Sequence, residues 1–204
     1  MADTCTPNVS DIPIDLAQEP VSRLAEYARV PIAFTVDRVA DVAHDNDRPG
    51  RFVLTERRVA IPGEKDYDAI AGEGPLTWAR RFDLSKWALF TARVATRLVG
   101  GAVAAFDAPE LTMLEGRRDL AVLWDIRVSP NMRGRGVGSA LFGKVEAWAR
   151  RQDCRQLMAE TQNTNVAACR FYARQGCHLQ AINRSAYPDF PEEIQLVWYK
   201  DLLA

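Results

Sequence analysis

The hexapeptide RGRGVG, residues 133–138, is the feature that most restricts what this chain can fold into. It runs into a helical stripe in which Val137, Leu141, Val145 and Trp148 recur at intervals of three or four residues. Glycine loses much conformational freedom on folding, so three glycines in six residues need a geometric reason. The N–H groups at a helix start lack intrahelical partners and attract anions, and the two arginines add positive charge. The hexapeptide therefore predicts a pyrophosphate-binding loop, with a plain corner between strand and helix as the alternative.

Two common phosphate-binding motifs do not match this loop. A P-loop requires Gly-Lys-Ser/Thr after its first glycines, and no such tripeptide follows. A dinucleotide-binding fingerprint requires the spacing G-x-G-x-x-G, which the hexapeptide lacks. The loop therefore indicates a phosphate cradle of another kind.

Composition and charge exclude several classes of partner. The 204 residues carry a formal net charge of -1, so no global positive charge favours a nucleic acid. No apolar run reaches the roughly 18 residues of a membrane span, and the N-terminus lacks a signal-peptide pattern. We therefore expect a cytoplasmic protein with no membrane partner. The four cysteines and two histidines are too scattered for a metal site, and we expect none.

The order of elements predicts one α/β or α+β domain over residues 20–204, preceded by a polar arm, residues 1–19, that is loose or held only by its neighbours. Before the hexapeptide we expect a short helix at 20–29 and candidate strands at 31–42 and 50–60. Residues 62–86 are expected to form helical turns and loop. Next come two strands around a turn at 95–97, and then a strand over 119–129. That strand alternates so that one face carries Leu120, Val122, Trp124, Ile126 and Val128. After the loop we expect helix, strand, helix and two closing strands, the second helix capped by Asn165 or Thr164 and ended by Gly176.

Two segments resemble the GNAT family of N-acetyltransferases. RVSPNMRGRGVGSALFGKVEAWA resembles the family's acetyl-CoA loop, with Arg133, Gly136 and Gly138 on the pattern Arg/Gln-x-x-Gly-x-Gly/Ala. LMAETQNTNVAACRFYARQGC resembles the strand and helix that follow, including Asn165 at the helix start and Tyr172 after a phenylalanine. Within the family the chain is most similar to the streptothricin acetyltransferases, through EKDYDAI, LWDIRVSPNMRGRGVG, ETQNTNVAACRFYARQG and EEIQLVWY. The resemblance covers most of the chain after about residue 30 and is strongest from 119 onward.

The resemblance implies a fold and a cofactor, acetyl-CoA. The fold is a mixed, mostly antiparallel central sheet flanked by helices and splayed between its fourth and fifth strands. The pantetheine arm is expected in that gap, along the main chain of Ile126, Arg127 and Val128. The side chain of Asn165 is expected to reach the cofactor as well. The pyrophosphate is expected on the amides of the loop: Arg133, Gly134, Arg135, Gly136, Val137, Gly138 and Ser139.

The resemblance also implies direct attack of an amine on the thioester, without a covalent enzyme intermediate. Tyr172 stands where the family places its general acid; the alternative is a core tyrosine with a wet tip. Glu160 precedes Tyr172 by twelve residues, where some relatives that acetylate protein N-termini place a catalytic base. Its alternative is a strand-end carboxylate that binds an amide or an arginine. The backbone N–H of Val128 is expected to polarise the thioester carbonyl.

An acceptor site for a cationic amine should be acidic. Asp125 interrupts an apolar strand, so it must be hydrogen-bonded or functional, and pairing with an arginine is slightly favoured over orienting the substrate. Glu192 and Glu193 are candidates for the site or for a solvated hairpin rim. The segment AYPDFPEE departs from the antibiotic enzymes and resembles ribosomal-protein N-terminal acetyltransferases. The substrate-binding candidates are Asp66, Tyr67, Asp125, Glu192 and Glu193.

The sequence therefore predicts an acetyl-CoA-dependent N-acetyltransferase that modifies a primary amine of a small, cationic, streptothricin-like molecule, a reaction of antibiotic resistance. Acetylation of a protein N-terminus or lysine is the nearest alternative. An acyl-CoA-binding module without turnover is the alternative from another class. The expected partner is a small-molecule amine, with a homodimer as an open expectation and no nucleic acid.

Overall fold

The computed structural model describes residues 13–48 and 50–202. Its nine strands in this range are β1 (Asp15–Glu19), β2 (Phe34–His44), β3 (Phe52–Lys65), β4 (Trp87–Val94), β5 (Arg97–Phe106), β6 (Leu120–Val128), β7 (Gln156–Gln162), β8 (His178–Asn183) and β9 (Gln195–Asp201). The four α-helices there are α1 (Leu24–Tyr27), α2 (Pro75–Arg81), α3 (Val137–Arg151) and α4 (Val166–Arg174), and short 3₁₀ turns join several elements. None of these helices is long and apolar enough to cross a membrane.

The strands form one large sheet and one hairpin. The seven-stranded sheet has the order β1-β4-β5-β6-β7-β9-β8, and β2 pairs with β3 in a separate two-stranded sheet. All neighbouring pairs are antiparallel except β6 and β7. The prediction of a mixed, mostly antiparallel sheet flanked by helices is confirmed.

Part of the N-terminal arm is held by its neighbours in the structure. Residues 15–19 form an edge strand, which pairs with β4 from Asp15 opposite Arg93 to Glu19 opposite Leu89. This strand is short and polar, so it carries too little hydrophobic alternation to be seen in the sequence. It is held in the sheet by backbone hydrogen bonds to β4 and not by a hydrophobic face. The arm's residues 1–12 lie outside the described residues.

Each face of the large sheet covers its own hydrophobic core. Helix α3 packs on one face, and its predicted stripe Val137, Leu141, Val145 and Trp148 is buried, as expected. The other face is covered by α1 and α2, with Tyr27 and two tryptophans at its centre. Gly101 allows this packing, because a Cβ there would lie 2.6 Å from the ring of Tyr27. The sheet is therefore rigid on both sides of the strand that precedes the hexapeptide.

A β-bulge in β6 corrects the predicted single face of this strand. Val103 of β5 pairs with Asp125, but Ala104 pairs with Leu123, so Trp124 is the extra residue. Leu120, Val122 and Trp124 belong to the core under α1 and α2, whereas Ile126 and Val128 belong to the core under α3. One inserted residue moves the following side chains to the opposite face, which simple alternation does not predict.

The predicted splay lies between β6 and β7. The two strands pair in parallel only from Leu120 opposite Gln156 to Leu123 opposite Ala159. Beyond that point β7 stays paired with β9 along its whole length, whereas β6 continues beside β5. The strands therefore separate after the bulge, and a wedge opens between residues 124–128 and the end of β7.

Candidate functional site

The wedge between β6 and β7 opens into a cleft of about 830 Å³. Fourteen of the predicted site residues line it: Tyr67, Asp125, Ile126, Arg127, Val128, Arg133, Gly134, Gly136, Gly138, Ser139, Glu160, Asn165, Tyr172 and Glu193. Four do not: Asp66, Arg135, Val137 and Glu192. Residues widely separated along the chain thus meet in one cavity.

The inner edge of β6 presents free backbone groups to the cleft. The N–H of Ser129 donates to Val99 of β5 at 2.8 Å, so the groups of Val128, opposite Gly100, point the other way. Antiparallel ladders alternate in this manner along a strand, and Ile126 therefore shares the orientation of Val128. Because β7 has diverged by this point, no strand of the described chain pairs with that side of Val128.

The hexapeptide continues this edge with unpaired amides. Among the described residues, the backbone N–H groups of residues 134–139 donate no hydrogen bond, and the first to do so is Ala140, to Gly136 at 2.9 Å. Gly134 and Gly136 have positive φ angles of 75° and 82°, which only glycine adopts without strain. A Cβ at either position would meet nothing within 4 Å, so the loop surface is open. Open, unpaired amides at a helix N-terminus can bind an anion.

Arg133 has another role in the structure than a free phosphate ligand. Its Nε donates to the carbonyl of Val128 at 3.0 Å, and its NH2 group donates to the carbonyl of Ala33 at 2.9 Å. Partial burial lowers the pKa of this guanidinium from its ordinary value. The side chain therefore links the end of β6 to the segment that leads into β2. The free amides of the loop begin at the next residue, Gly134.

Helix α4 brings Asn165 and Tyr172 to the cleft. Asn165 caps the helix, because its side-chain oxygen accepts a hydrogen bond from the N–H of Ala168 at 3.1 Å. Tyr172 is buried, with 5% of its surface exposed, and burial raises its pKa well above the ordinary value. Its hydroxyl has no hydrogen-bond partner in residues 13–48 and 50–202. A neutral hydroxyl with a free donor at the cleft is suited to protonating an anionic leaving group.

Glu160 is held by a chain of hydrogen bonds across the cleft. The hydroxyl of Tyr187 donates to Oε1 of Glu160 at 2.5 Å and accepts from the amide of Gln162 at 2.9 Å. Tyr67 donates in turn to the amide oxygen of Gln162. Burial, followed by the charge of Glu160, raises the pKa of Tyr187. Glu160 carries no salt bridge in the described chain, so its carboxylate is positioned without being neutralised by a cation.

Asp125 is paired inside the protein. Its carboxylate accepts hydrogen bonds from Arg127 at 3.1 and 2.5 Å and from the hydroxyl of Tyr27 at 2.6 Å. Asp68 accepts two more from Arg127, at 2.7 and 3.2 Å, and the carbonyl of Val30 accepts another at 3.2 Å. All five N–H groups of the guanidinium are therefore used. Two carboxylates against one cation leave this cluster negative where it faces the cleft.

The other acidic candidates have different positions. Asp66 caps a 3₁₀ turn by accepting from the N–H of Asp68 at 3.0 Å, and Glu192 is exposed outside the lining. Glu193 does line the cleft, but the ammonium of Lys65 lies 2.7 Å from its carboxylate. Of these three carboxylates, then, the structure brings only Glu193 to the cavity, and a lysine neutralises it.

Sequence reasoning missed several residues of the lining. Asp68 and Gln162 each stand two positions from a predicted candidate, and that spacing on β7 places Gln162 on the same face as Glu160. The others were not singled out, because distant segments bring them together: Phe34, Lys65, Trp78, Trp124, Tyr187 and Phe190. Lys65, Tyr187 and Phe190 do stand in EKDYDAI and AYPDFPEE, so the resemblance of those segments is the signal that could have found them. The part of the cleft away from the hexapeptide, which these residues line and which we call the acceptor half after the prediction for it, is therefore more aromatic than the sequence indicated.

The model of the acetyltransferase (GNAT) family matches residues 58–177, more than half of the chain. The chain belongs to the GNAT family. The matched range of this GNAT protein includes the hexapeptide, Glu160 and Tyr172. It ends before Tyr187 and Glu193, so the loop between β8 and β9 lies beyond the shared region.

Relatives and solved structures add detail to this membership. Streptothricin acetyltransferase A of Bacillus subtilis (strain 168) is 40% identical over 81 residues, which are 39% of this chain and 47% of that protein. The chain thus spans about half the length of the curated relatives it matches.

Two solved structures share nearly the whole architecture. A candidate streptothricin acetyltransferase from Bacillus anthracis, in complex with acetyl coenzyme A, superposes with a TM-score of 0.75 at 21% identity, covering 93% of this chain and 99% of that one. Nourseothricin acetyltransferase superposes with a TM-score of 0.71 at 23% identity over the same shares. At these identities the likeness is one of fold.

Proposed function

We propose that this GNAT protein transfers the acetyl group of acetyl-CoA to a primary amine of a small cationic molecule of the streptothricin class. One observation carries the proposal. The unpaired inner edge of β6 at Val128 runs directly into the six free amides of residues 134–139, and Glu160 and Tyr172 line the same cleft. An extended amide-bearing arm with a pyrophosphate at its end is the ligand that such a surface matches.

The residues present fit acetyl-CoA. When bound, acetyl-CoA supplies an activated acetyl thioester. The free N–H of Val128, whose carbonyl already accepts from Arg133, and the backbone of Ile126 can pair with a pantetheine arm as a neighbouring strand would, and the loop amides can bind its pyrophosphate. Gly134 and Gly136 leave the space in front of those amides open, and Gly138 avoids a Cβ 3.3 Å from the ring of Phe171. The free N–H of Val128 is also the group we assign to polarising the thioester carbonyl.

Glu160 and Tyr172 are the groups that we assign to proton transfer. A primary amine is protonated near neutral pH, so it must lose a proton before it can attack. Oε1 of Glu160 is occupied by Tyr187, whereas Oε2 has no partner in the described chain and is free to accept that proton, directly or through water. Tyr172 keeps its hydroxyl proton because it is buried, and it can donate that proton to the leaving sulfur.

The charge of the acceptor half supports a cationic substrate. Carboxylates outnumber cations along the cleft, which is lined by Asp68, Glu73, Asp125, Glu160, Asp189 and Glu193 against Lys65, Arg127, Arg133 and Arg174. Aromatic rings of Trp78 and Trp124 border the same region, and ring faces attract cations. The names of the matched relatives agree with this substrate class, which is why we choose it over an uncharged amine.

A second candidate function is acetylation of a protein N-terminus. The observation that favours it is Tyr187, which stands in the AYP segment and holds the carboxylate that we assign as the base. The expected acceptor would then be an extended peptide whose first residue enters the cleft. The same proton-transfer residues would serve both acceptors.

The proposal is tested by mass spectrometry of acetyl-CoA reactions with streptothricin, a polyamine or a peptide with a free N-terminus. We expect the mass of one acetyl group on streptothricin, and a much slower reaction in a Tyr172→Phe/Glu160→Gln double variant that still binds acetyl-CoA. Acetylation of the peptide alone would replace the proposal with the second candidate. Binding of acetyl-CoA without transfer to any of these amines would contradict both.

A further inference from the structure

In one wall of the acceptor half, the ammonium group of Lys65 lies between a carboxylate and two aromatic rings. Nζ of Lys65 lies 2.7 Å from Oε1 of Glu193 and 3.7 Å from the centre of the Phe190 ring. The ring of Tyr67 is 5.9 Å away. Only 14% of the lysine side chain and 7% of the glutamate side chain are exposed. We call Tyr67, Phe190 and Glu193 the cation cage.

The cage has the composition of a site for a foreign cation. A carboxylate supplies the charge, and aromatic faces within about 6 Å stabilise an ammonium that has lost much of its water. All three residues line the proposed acceptor cleft, and so does Lys65 itself. The lysine comes from the end of β3 and the glutamate from the loop before β9, so only the folded chain brings them together.

We propose that Lys65 is the resident occupant of a cation subsite in the acceptor half, and that it thereby limits how many cationic groups an acceptor can place there. The statement that Lys65 limits which acceptors bind rests on the proposed function, whereas the statement that the cation cage binds an ammonium group does not. With Lys65 in place, Glu193 is neutralised, and a substrate cation is directed to Asp68 and Glu160. Without it, Glu193 keeps its charge, and the aromatic faces are open to an ammonium from solution.

The alternative is a purely structural role, in which the ion pair of Lys65 with Glu193 only holds β3 against the loop before β9. The alternatives differ in what a small cation does after the lysine is removed. If Lys65 only connects β3 to the loop before β9, a free alkylammonium ion does not restore the lost stability, because the ion is not attached to β3. A cation subsite is restored, because the ion occupies the same cage and stabilises the folded state by binding it.

The experiment compares Lys65→Ala, which empties the cage, with Lys65→Met, which fills its apolar part without a charge. Thermal unfolding is followed with increasing n-propylammonium chloride, against sodium chloride at equal ionic strength. We expect a saturable rise in Tm for Lys65→Ala, and a much smaller response for wild type, for Lys65→Met and for Lys65→Ala/Glu193→Gln. Equal responses in all four proteins would overturn the inference.

The same comparison remains decisive if Lys65→Ala unfolds in plain buffer. Recovery of its circular dichroism with n-propylammonium, but not with sodium, would support the subsite. Failure to recover, while Lys65→Met stays folded, would overturn it.

Kinetics test the specificity part. In Lys65→Ala we expect the KM for a diamine to fall about tenfold relative to that for propylamine, the size of one desolvated ammonium contact with a ring and a carboxylate. Lys65→Met should keep the wild-type ratio, and an unchanged ratio in Lys65→Ala would remove Lys65 from specificity. Failure of the proposed function would be seen separately, as absence of turnover in the wild type, because the unfolding experiment needs no turnover.

Discussion

The hydroxyl of Tyr187 donates a hydrogen bond of 2.5 Å to Oε1 of Glu160, across the mouth of the cleft. The two residues belong to different parts of the fold, since Glu160 lies on β7 and Tyr187 in the loop between β8 and β9. The contact fixes one oxygen of the carboxylate and leaves the other without a partner in the described chain. A carboxylate held in place with one free oxygen at the cleft can act as a general base when an amine lies within hydrogen-bond reach of it.

Replacing Glu160 with glutamine tests this role. The amide keeps the shape of the side chain but cannot take a proton from the attacking amine. We expect kcat/KM to fall by about 10²- to 10⁴-fold and its pH profile to change, because the variant depends on the amine that is already unprotonated in solution. Glu64→Gln, at an exposed carboxylate outside the cleft lining, is the matched control. A Glu160→Gln profile that overlays that of the wild type would remove Glu160 from the mechanism.

Replacing Tyr172 with phenylalanine removes the assigned proton donor. We expect kcat to fall by roughly ten- to a thousand-fold, within or just below the usual range for acid–base catalysis. Stability should change little, because the hydroxyl has no hydrogen-bond partner among the described residues. Tyr199→Phe, outside the cleft lining, should retain the wild-type rate. A wild-type rate for Tyr172→Phe, measured by thiol release, is the result that would exclude the donor role.

Two buried thiols and one half-buried thiol predict a loss of stability at alkaline pH. Burial raises the pKa of Cys154 to about 11 and those of Cys169 and the half-buried Cys177 to about 12. The unfolded chain releases these protons near pH 8.5, whereas the folded chain keeps them. The unfolded state thus binds fewer protons, and the free energy of unfolding falls as pH rises from about 8.5 towards 11, by up to about 1.4 kcal/mol per unit and thiol.

Guanidinium unfolding at several pH values in this window checks the prediction. Tyr172→Phe is a useful comparison above about pH 10, where an unfolded tyrosine ionises and a buried one does not. The variant should lose stability less steeply there than the wild type. A free energy of unfolding that stays constant up to pH 11 would show that these thiols are not buried as described.

Removing the guanidinium of Arg127 should be strongly destabilising. Its side chain is 1% exposed, and it is the shared partner of Asp68 and Asp125. In Arg127→Met a largely buried carboxylate loses its cation, which costs about 3 kcal/mol. Arg57→Met breaks an exposed pair with Asp41 and should cost less than about 1 kcal/mol. Chemical denaturation measures both, and equal losses would contradict the description of Arg127 as a buried hub.

The backbone of the loop and helices that border the proposed cofactor site was predictable because its signals are local. Glycine spacing, the helical stripe from Val137 to Trp148, and the cap at Asn165 all lie within a short stretch of chain. Each of these signals reflects a local backbone conformation that depends on residues close together in the sequence. The sheet splay followed from the resemblance and not from any pattern of residues.

The acceptor half was not predictable to the same degree. The bulge at Trp124 reverses the faces of β6, and nothing in the alternation of that strand indicates it. Asp125 finds its partners in Tyr27 and Arg127, and Asp68 joins them from 59 positions before Arg127. Such pairs depend on tertiary packing, so the sequence suggested an acidic site without telling which carboxylates are already neutralised.

The most direct test of the central claim is a competition for acetyl-CoA. Equal concentrations of streptothricin and of a peptide with a free N-terminus are mixed with the wild-type protein, and mass spectrometry reads which molecule gains the acetyl group. We expect streptothricin to be acetylated first, at a rate that salt lowers because the charge of the cleft attracts the cationic substrate. Preferential acetylation of the peptide, or no acetyl transfer while acetyl-CoA binds, would contradict it.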